Sequence, residues 1–418
     1  MAACWFLCLA VFSYPLSAER VAHKRILHEA DSFLTRGHGA REFEQQKKQT
    51  KETSNGTRTE AKVGLPKCSD GILQLDGVYE VKKPEEVLVE GPSCRVTGSA
   101  ELLLWAPVRF KGNLVLAGQL NVKAAGDGGR FYTACVAIEG NFTLHPEARL
   151  SIQGCKNQAD DEVDEDDAVH GGCLRVDGDA ELLGGQLLLH DCAASLGVGG
   201  GIYVDGRLQS GNATIDAERC GAEYGGKMDV SGGYVTIAKS EASENGGAVY
   251  AVNDMIVSGG GVSITESKAS RAGGAINAEN MLVSGGSVTI RECTALCGGA
   301  VDAVMDMNIS GGNVSITKSE ASRGGAILAQ NMMIVSGGNV TITKSEASEN
   351  GGAIYANNMN VSGGGVTIRE SEAQRRGCIY TLYDFTNPGG AVSFEGCKAL
   401  HEGGDIFSWW QHYERRYL

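Results

Sequence analysis

The sequence predicts an all-β solenoid, namely a right-handed parallel β-helix of about nine regular and about three irregular coils with a short N-terminal helix. Three observations predict this fold. A motif recurs at a nearly constant spacing, each repeat holds short apolar alternations, and glycine supplies 59 of the 418 residues, about twice its ordinary usage. The repeats lack the apolar period of about 3.6 residues that a helical repeat needs, so we expect strands and turns.

The chain that precedes the predicted solenoid divides into two parts. Residues 1–18 are uncharged and almost entirely apolar, which is typical of a secretory signal peptide; a short membrane anchor is the alternative. Residues 19–63 begin with Ala22, Ile26 and Phe33 at helical spacing, so we expect an amphipathic helix and linker that act as a cap or a propeptide. No later stretch is apolar enough to span a bilayer, so we expect no transmembrane segment in the mature chain.

A Ser-Gly-Gly motif marks the repeat in the C-terminal half of the chain. Its serines are 27, 26, 26, 26 and 26 residues apart, at Ser231, Ser258, Ser284, Ser310, Ser336 and Ser362. A fixed period in this range is typical of one structural unit that stacks on its neighbours. We predict a β-helix over residues 64–404, with regular 26-residue repeats over about 225–404.

Each repeat contains three apolar alternations that glycine or polar turns separate. The first reads Gly-Gly-Ala-Val-Tyr-Ala at 246–251, and in later repeats the branched residue stays while the next residue varies. Neighbouring side chains of a strand point to opposite sides, so we predict the branched residue inside and the variable one in water. The variable position holds Tyr250, Asn277, Asp302, Leu328 and Tyr355. The other alternations, such as Met281-x-Val283 and Val288-x-Ile290, should point their first and last residues inward.

Stacked coils should place equivalent residues in columns, one above another. One turn position carries short polar side chains that can bond to successive backbones, and its occupants are Asp254, Asn280, Asp306 and Asn358. We therefore predict a polar ladder along this edge of the solenoid.

The cysteines predict a further pair of columns. Thirteen cysteines, less the two within residues 1–18, leave eleven. Alignment of the irregular coils places Cys135 with Cys173 and Cys155 with Cys192. In an oxidising compartment these could form the disulfides Cys135–Cys173 and Cys155–Cys192; small buried apolar residues are the other interpretation.

The C-terminal residues 405–418 are rich in aromatic side chains. A solenoid exposes an apolar end, so we predict that this segment caps the last coil. Stacking of Trp409 and Trp410 on a carbohydrate is the alternative.

An acidic run at 159–168 lengthens the coil that starts at Cys135. Clustered carboxylates can hold Ca²⁺, although the spacing fits no EF-hand, and a solvated surface loop is the other interpretation. The candidate ligands of this calcium site are Asp160, Asp161, Glu162, Asp164, Glu165, Asp166 and Asp167. We expect no other metal and no cofactor.

Seven Asn-x-Ser/Thr sequons would accept N-glycans in a secreted eukaryotic protein. Asn55 lies before the predicted solenoid. The candidate glycosylation sites of the solenoid are Asn141, Asn212, Asn308, Asn313, Asn339 and Asn360.

The repeated Gly-Gly-Ala-Ile and Gly-Gly-Ala-Val motifs resemble the repeats of the polymorphic outer membrane protein family. The similarity covers about 225–380 well and about 130–225 loosely. The resemblance implies a right-handed parallel β-helix of the pectin-lyase-like class and an adhesive role at a surface or after secretion.

The net charge of −14 argues against nucleic acid as a partner, because phosphate binding needs a basic surface. We expect a secreted or cell-surface module, without catalysis, that binds an extracellular or cell-surface glycan or protein in an adhesive or structural role.

Two other functions stay open. A polysaccharide-active β-helix, a lyase or hydrolase of acidic glycans, would use acidic and basic side chains on its coils; the candidates are Asp302, Asp306, Arg323 and Arg375, with ordinary surface charge as the other interpretation. An ice-binding solenoid would use outward hydroxyls that recur in register, and the candidates are Ser263, Thr265, Ser315, Thr317, Thr341 and Thr343.

Overall fold

The structure is a computed structural model that describes residues 61–125, 130–131, 134–157, 172–194, 200–220, 223–401 and 404–409. The chain divides into two units, residues 1–58 and 59–418, and all described residues belong to the second. The predicted signal peptide, the predicted N-terminal helix and most of the predicted C-terminal cap therefore lie outside the described residues. Within the described ranges no helix has both the length and the hydropathy of a membrane span.

The described chain is an all-β parallel solenoid of about 12 turns, as the repeat predicts. The strands of the irregular N-terminal coils are β1 (Lys62–Val63), β2 (Ile72–Val81), β3 (Glu85–Leu88), β4 (Cys94–Leu104), β5 (Val108–Lys111), β6 (Leu114–Leu116), β7 (Gln119–Ala124), β8 (Arg130–Phe131), β9 (Val136–Ile138), β10 (Phe142–Leu144), β11 (Arg149–Gln153), β12 (Lys156–Asn157), β13 (Leu174–Val176), β14 (Ala180–Leu182), β15 (Gln186–His190) and β16 (Ala193–Ala194).

More regular coils follow. Their first strands are β17 (Ile202–Ser210), β18 (Thr214–Glu218), β19 (Glu223–Val230), β20 (Tyr234–Ala238), β21 (Glu241–Ala242), β22 (Val249–Val257), β23 (Gly261–Thr265), β24 (Lys268–Ala269), β25 (Ile276–Val283), β26 (Ser287–Arg291), β27 (Val301–Ala303), β28 (Asp306–Ile309) and β29 (Asn313–Thr317). The remaining strands are β30 (Glu320–Arg323), β31 (Ile327–Val335), β32 (Asn339–Thr343), β33 (Glu346–Asn350), β34 (Ile354–Val361), β35 (Gly365–Arg369), β36 (Glu372–Arg375), β37 (Ile379–Thr381), β38 (Phe385–Thr386), β39 (Ala391–Glu395), β40 (Lys398–Ala399) and β41 (Ile406–Ser408).

Each coil contributes to three faces, on which every strand pairs in parallel with the equivalent strand of the next coil. Face 1 carries the strands that follow the glycine pair, for example β27, which pairs with β25 and β31. Face 2 carries the second alternation, as in β28. Face 3 carries the third, along β23, β26, β29, β32 and β35. A fourth, short sheet of β30, β33, β36 and β40, which we call the corner sheet, lies between faces 3 and 1.

The branched aliphatic residues of all three alternations fill the interior, as predicted. On face 1, Ile276, Ile327 and Ile354 are completely buried. On face 3, Val288 and Ile290 point inward while Thr289 between them is half-exposed. These residues belong to one continuous apolar core that runs the length of the described solenoid. Apolar burial in this core stabilises the stack of coils.

The variable position of face 1 contradicts the sequence prediction, because most of its residues are not in water. Asn277, Asp302 and Leu328 are at most 4% exposed, and Tyr355 is 7% exposed. The reason is that side chains of the corner lean over this face. The Arg323 guanidinium, for example, lies 5.9 Å from the centre of the Tyr355 ring. Alternation along a strand shows which side chains point outward, but not whether a neighbouring segment covers them.

The cysteine columns are as predicted, but the disulfides are not. Cys135 and Cys173 directly precede the paired strands β9 and β13 of neighbouring coils, and Cys155 and Cys192 share the following corner. The bonds, however, are Cys135–Cys155 and Cys173–Cys192. The two columns face each other across the interior at the point where a coil closes, so each bond joins the start and the end of its own coil.

Two further disulfides stabilise the described chain. Cys378–Cys397 closes a late coil in the same manner, and the other bond is Cys68–Cys94. The remaining described cysteines form no disulfide and are buried; they are Cys220, Cys293 and Cys297. Burial raises the pKa of the Cys293 thiol to about 12, so this group stays protonated at neutral pH.

The corner sheet stacks three glutamates on neighbouring strands. Glu320 pairs with Glu346, which pairs with Glu372. Like charges that stand directly opposite each other on paired strands are destabilising.

We expect Glu346→Lys to raise the free energy of unfolding by about 0.5–1 kcal/mol, because it places a cation between two carboxylates. Urea unfolding at low and high salt measures the effect, and salt should shrink it. The matched control is Glu241→Lys. Glu241 already pairs with Lys268, so that change should destabilise. Equal effects of both changes would contradict repulsion among the three stacked glutamates as the cause.

Candidate functional site

Face 3 presents an outward strip of polar side chains that changes in character along the solenoid. In the N-terminal coils, β7 and β11 pair so that Gln119 lies beside Arg149 and Asn121 beside Ser151. In the C-terminal coils the middle position of each strand carries a hydroxyl instead. Because the strands are in register, these side chains form straight rows parallel to the solenoid axis.

A depression of about 440 Å³ lies in the N-terminal part of this strip. Its volume falls within the range of ordinary ligand sites. The residues that line it are Ser99, Ala100, Gln119, Leu120, Asn121, Lys123, Arg149, Ser151 and Gln153. The inward residues of the same strands fix the floor, because Leu120 and Leu150 are buried in the core.

Most polar side chains of the depression have no partner within the described protein. Lys123 is the exception, since its Nζ lies 2.7 Å from Oε1 of Glu101. The side chains of the other six form no hydrogen bond or ion pair with another described residue; they are those of Ser99, Gln119, Asn121, Arg149, Ser151 and Gln153. Amides, hydroxyls and a guanidinium are therefore available to a ligand as donors and acceptors.

The C-terminal part of the strip contains the hydroxyls that the ice-binding alternative uses. Register pairs Ser263 with Thr289, and the row continues through Ser315, Thr341, Thr367 and Ser393. Part of its hydrogen-bonding capacity is used internally, because Ser393 Oγ donates to Thr367 Oγ1 at 3.1 Å. The parallel row of Thr265, Thr317 and Thr343 is interrupted by Arg291 and Arg369, as the sequence suggests.

The candidate glycosylation sites differ in exposure. Four of them are exposed, namely Asn141, Asn212, Asn313 and Asn339. Asn308 and Asn360 are half-buried on face 2, and the Oδ1 atom of each is buried without a hydrogen-bond partner. Asn339 Nδ2 donates to Asn313 Oδ1 at 3.2 Å, so glycans on both of these neighbours would crowd each other.

The buried variable position of face 1 forms a second polar cluster, which the sequence did not reveal. Asp302 is 1% exposed. It accepts a hydrogen bond from Asn277 Nδ2 at 2.9 Å, and from Gln330 Nε2 at 3.1 and 3.3 Å. These amide donors satisfy a carboxylate that burial would otherwise disfavour.

Aromatic rings continue the same column toward the C-terminus. The rings of Tyr355 and Tyr380 have centroids 4.7 Å apart, and Phe407 stacks 6.0 Å beyond Tyr380. Burial raises the pKa of Tyr355 to about 12. The Arg376 guanidinium lies 5.4 Å from the Phe407 ring and 4.5 Å from the Trp409 ring. Trp409 thus packs on the end of this column while 40% of it stays exposed; Trp410 lies outside the described residues.

The residues of the enzyme alternative occupy unlike environments. Asp302 is buried, which contradicts its interpretation as ordinary surface charge. Asp306 lies at the turn between faces 1 and 2, where its Oδ1 accepts from Asn331 Nδ2 at 2.7 Å. It belongs to the predicted polar ladder, in which Asn280 Nδ2 also donates to Asp254 Oδ1 at 3.0 Å. Arg323 stacks on Tyr355, and Arg375 is exposed on the corner sheet.

The acidic run that carries the calcium candidates lies outside the described residues, since 158–171 are not described. Elsewhere in the described chain, no group of three or more His, Cys, Asp or Glu side chains is placed to hold a metal ion.

Comparison with known proteins finds no match for this chain among family models, curated proteins or solved structures. The fold and the strip define a parallel β-solenoid protein with a polar outer face.

Proposed function

We propose that this protein is a secreted or cell-surface solenoid that binds an extracellular glycan without catalysis, and that the depression on face 3 is its binding site. The observation that carries the proposal is the group of unpartnered polar side chains that line the depression. Sugars present many hydroxyls, which amide, hydroxyl and guanidinium groups can bind as donors and acceptors.

The shape of the strip supports a ligand that is longer than one sugar. Rows in register run along the axis for many coils, with a rise of about 4.8 Å per coil. An extended chain that lies along face 3 could contact several coils, each through a different side chain. The guanidinium of Arg149, which has no partner among the described residues, favours a ligand with an acidic group near this point of the depression.

The family-level proposal rests on the repeat sequence. We propose that the repeats are of the polymorphic outer membrane protein type, and the parallel solenoid supports this. Such a relationship fits an adhesive role at a cell surface. The apolar residues 1–18 and the disulfides support secretion into an oxidising compartment.

The test is an array of neutral and acidic oligosaccharides, followed by calorimetric titration with the best of them. We expect the double variant Asn121→Ala with Gln153→Ala to weaken binding about tenfold, since each lost hydrogen bond is worth about 0.5–1.5 kcal/mol. Both side chains point outward, so unfolding by urea should be unchanged.

The matched control is Thr341→Ala, which removes an outward group from the C-terminal part of the same strip. It should leave binding unchanged. An equal loss of affinity in both variants would show that the ligand does not bind in the depression. Turnover of an array polysaccharide would overturn the non-catalytic proposal, and thermal hysteresis that Thr341→Leu abolishes would favour ice binding instead.

A further inference from the structure

Two coils of the solenoid carry an identical segment at the corner before face 1. Residues 240–248 and 345–353 both read Ser-Glu-Ala-Ser-Glu-Asn-Gly-Gly-Ala. Each segment therefore holds one Asn-Gly pair, Asn245-Gly246 in the first and Asn350-Gly351 in the second. The two glycines have nearly the same backbone, with φ of 62° and 66°.

The two pairs differ in the hydrogen bond of the glycine N–H. Gly246 donates to the carbonyl of Ala272 in the next coil at 2.9 Å, and the equivalent Gly273, Gly298 and Gly324 make the same bond at 3.0–3.1 Å. Gly351 donates no hydrogen bond to any residue that the structure describes.

The cause of this difference lies in the coil that follows. There the glycine pair is reduced to Gly377, which Cys378 follows directly. The pairing shifts accordingly, so that Asn350 pairs with Arg375. The carbonyl that should receive the Gly351 N–H is therefore displaced.

The side chain of Asn350 is also unpartnered. Its Oδ1 is buried and has no hydrogen-bond partner. Among the described residues, neither the side-chain amide of Asn350 nor the adjacent backbone N–H of Gly351 has a hydrogen-bond partner. The glycine has no Cβ that would hinder the approach of its nitrogen to the Asn350 side chain.

We propose that Asn350 is a site of spontaneous deamidation in the folded protein. The Gly351 nitrogen loses its proton and forms a bond to Cγ of Asn350, the Cγ–Nδ2 bond breaks, and ammonia leaves with that proton. Water then opens the resulting succinimide to aspartate or isoaspartate. The balance is one water consumed and one ammonia released, with no oxidant or reductant.

The carboxylate that deamidation leaves at position 350 would have positively charged neighbours. Asn350 pairs with Arg323 on one side and with Arg375 on the other in the corner sheet. A carboxylate at this position would lie on the strand between those of the two arginines, whose positive charges favour it. Asn245 has no such flanking, because it bridges to Ala272.

The test ages the full wild-type chain at mildly alkaline pH, folded and in urea, and follows both sites by peptide mapping. The peptides are distinguishable because Val249 follows one segment and Ile354 the other. In the folded protein, the mass gain that marks loss of the amide should accumulate several-fold faster at Asn350 than at Asn245. In urea the two rates should be equal, because the sequences are identical.

An Asn350→Ser variant secures the assignment. It should remove the gain from that peptide and leave the rate at Asn245 unchanged. Equal rates in the folded protein, or a faster rate at Asn245, would overturn the proposal.

Discussion

Replacement of Gly311 by alanine should lower the free energy of unfolding by about 3 kcal/mol, the upper range for overpacking of a close-packed interior. Gly311 is the first glycine of a Ser-Gly-Gly corner. A Cβ at this position would lie 2.4 Å from the carbonyl oxygen of Ser284 in the preceding coil. A Cβ on Gly285 or on Gly337 would likewise lie 2.3 Å from a serine carbonyl oxygen of the preceding coil.

The obstacle is backbone, so it cannot rotate away as a side chain could. Alanine at position 311 must push two coils apart at this corner. The N–H groups of Ser310 and Gly311 would then separate from the carbonyl of Val283, to which both donate. The recurrence of Ser-Gly-Gly thus follows from the spacing of parallel strands, at which a corner has no room for a Cβ.

The control for this prediction is Gly365→Ala, at the start of β35. Its nearest neighbour would be the flexible side-chain oxygen of Asn339 at 3.0 Å, and the same position carries Asn339 and Ala391 in the adjoining coils. We expect a change within about 0.5 kcal/mol. Urea unfolding measures both variants, and equal destabilisation would contradict the backbone contact as the cause.

The sequence predicts the inside of this molecule much better than its outside. Period and alternation determine which residues enter the core, and Ile276 and Val288 lie where predicted. Those rules act on one strand at a time. The burial of Asp302 depends on residues that are distant in sequence, such as Gln330, and on how the next corner leans over face 1.

The candidate site shows the same limit. Gln119 and Asn121 are outward residues of an alternating strand, and nothing in their sequence separates them from other outward polar residues. The depression exists because three neighbouring irregular coils present short and long side chains side by side, with Ser151 between Arg149 and Gln153. Register between coils and the shape of the surface decide this, and neither is visible in one repeat.

The disulfide pairing that the sequence predicts is wrong, and the geometry of the two cysteine columns gives the reason. Residues of one column are neighbours in adjacent coils, which favoured the pair Cys135 with Cys173. The opposite column within the same coil supplies the actual partner, for example Cys155. A pair of columns that face each other at every coil therefore forms one closure position, at which each coil can be bonded or unbonded.

The closure position explains two of the three buried thiols outside the disulfides, those of Cys220 and Cys293. In the coils that lack this disulfide, one of the two facing positions carries a small residue. In one such coil Gly201 faces Cys220. A Cβ on Gly201 would lie 3.2 Å from Cβ and 3.6 Å from Sγ of Cys220, which is close to the separation within a disulfide. Ala275 and Cys293 occupy the same two columns, and both are completely buried.

We therefore expect Ala275→Cys to form a disulfide with Cys293 when the protein folds under oxidising conditions. Closing a loop of this length should raise the free energy of unfolding by about 3 kcal/mol, chiefly through the unfolded state. The bond must form before the coil is fully packed, because the buried Cys293 thiol has its pKa raised to about 12 and only a thiolate attacks a disulfide.

Thiol titration of the denatured protein measures the result, and the matched control is Ala300→Cys. Ala300 is equally buried and occupies the same column, but the residue opposite is Ser319. Ala275→Cys should show one thiol fewer than the wild type, and Ala300→Cys one thiol more without added stability. If Ala275→Cys folded with both thiols free, the columns would not meet in that coil. Closure by disulfides would then be a property of the particular coils at 135–155, 173–192 and 378–397, and not of the repeat.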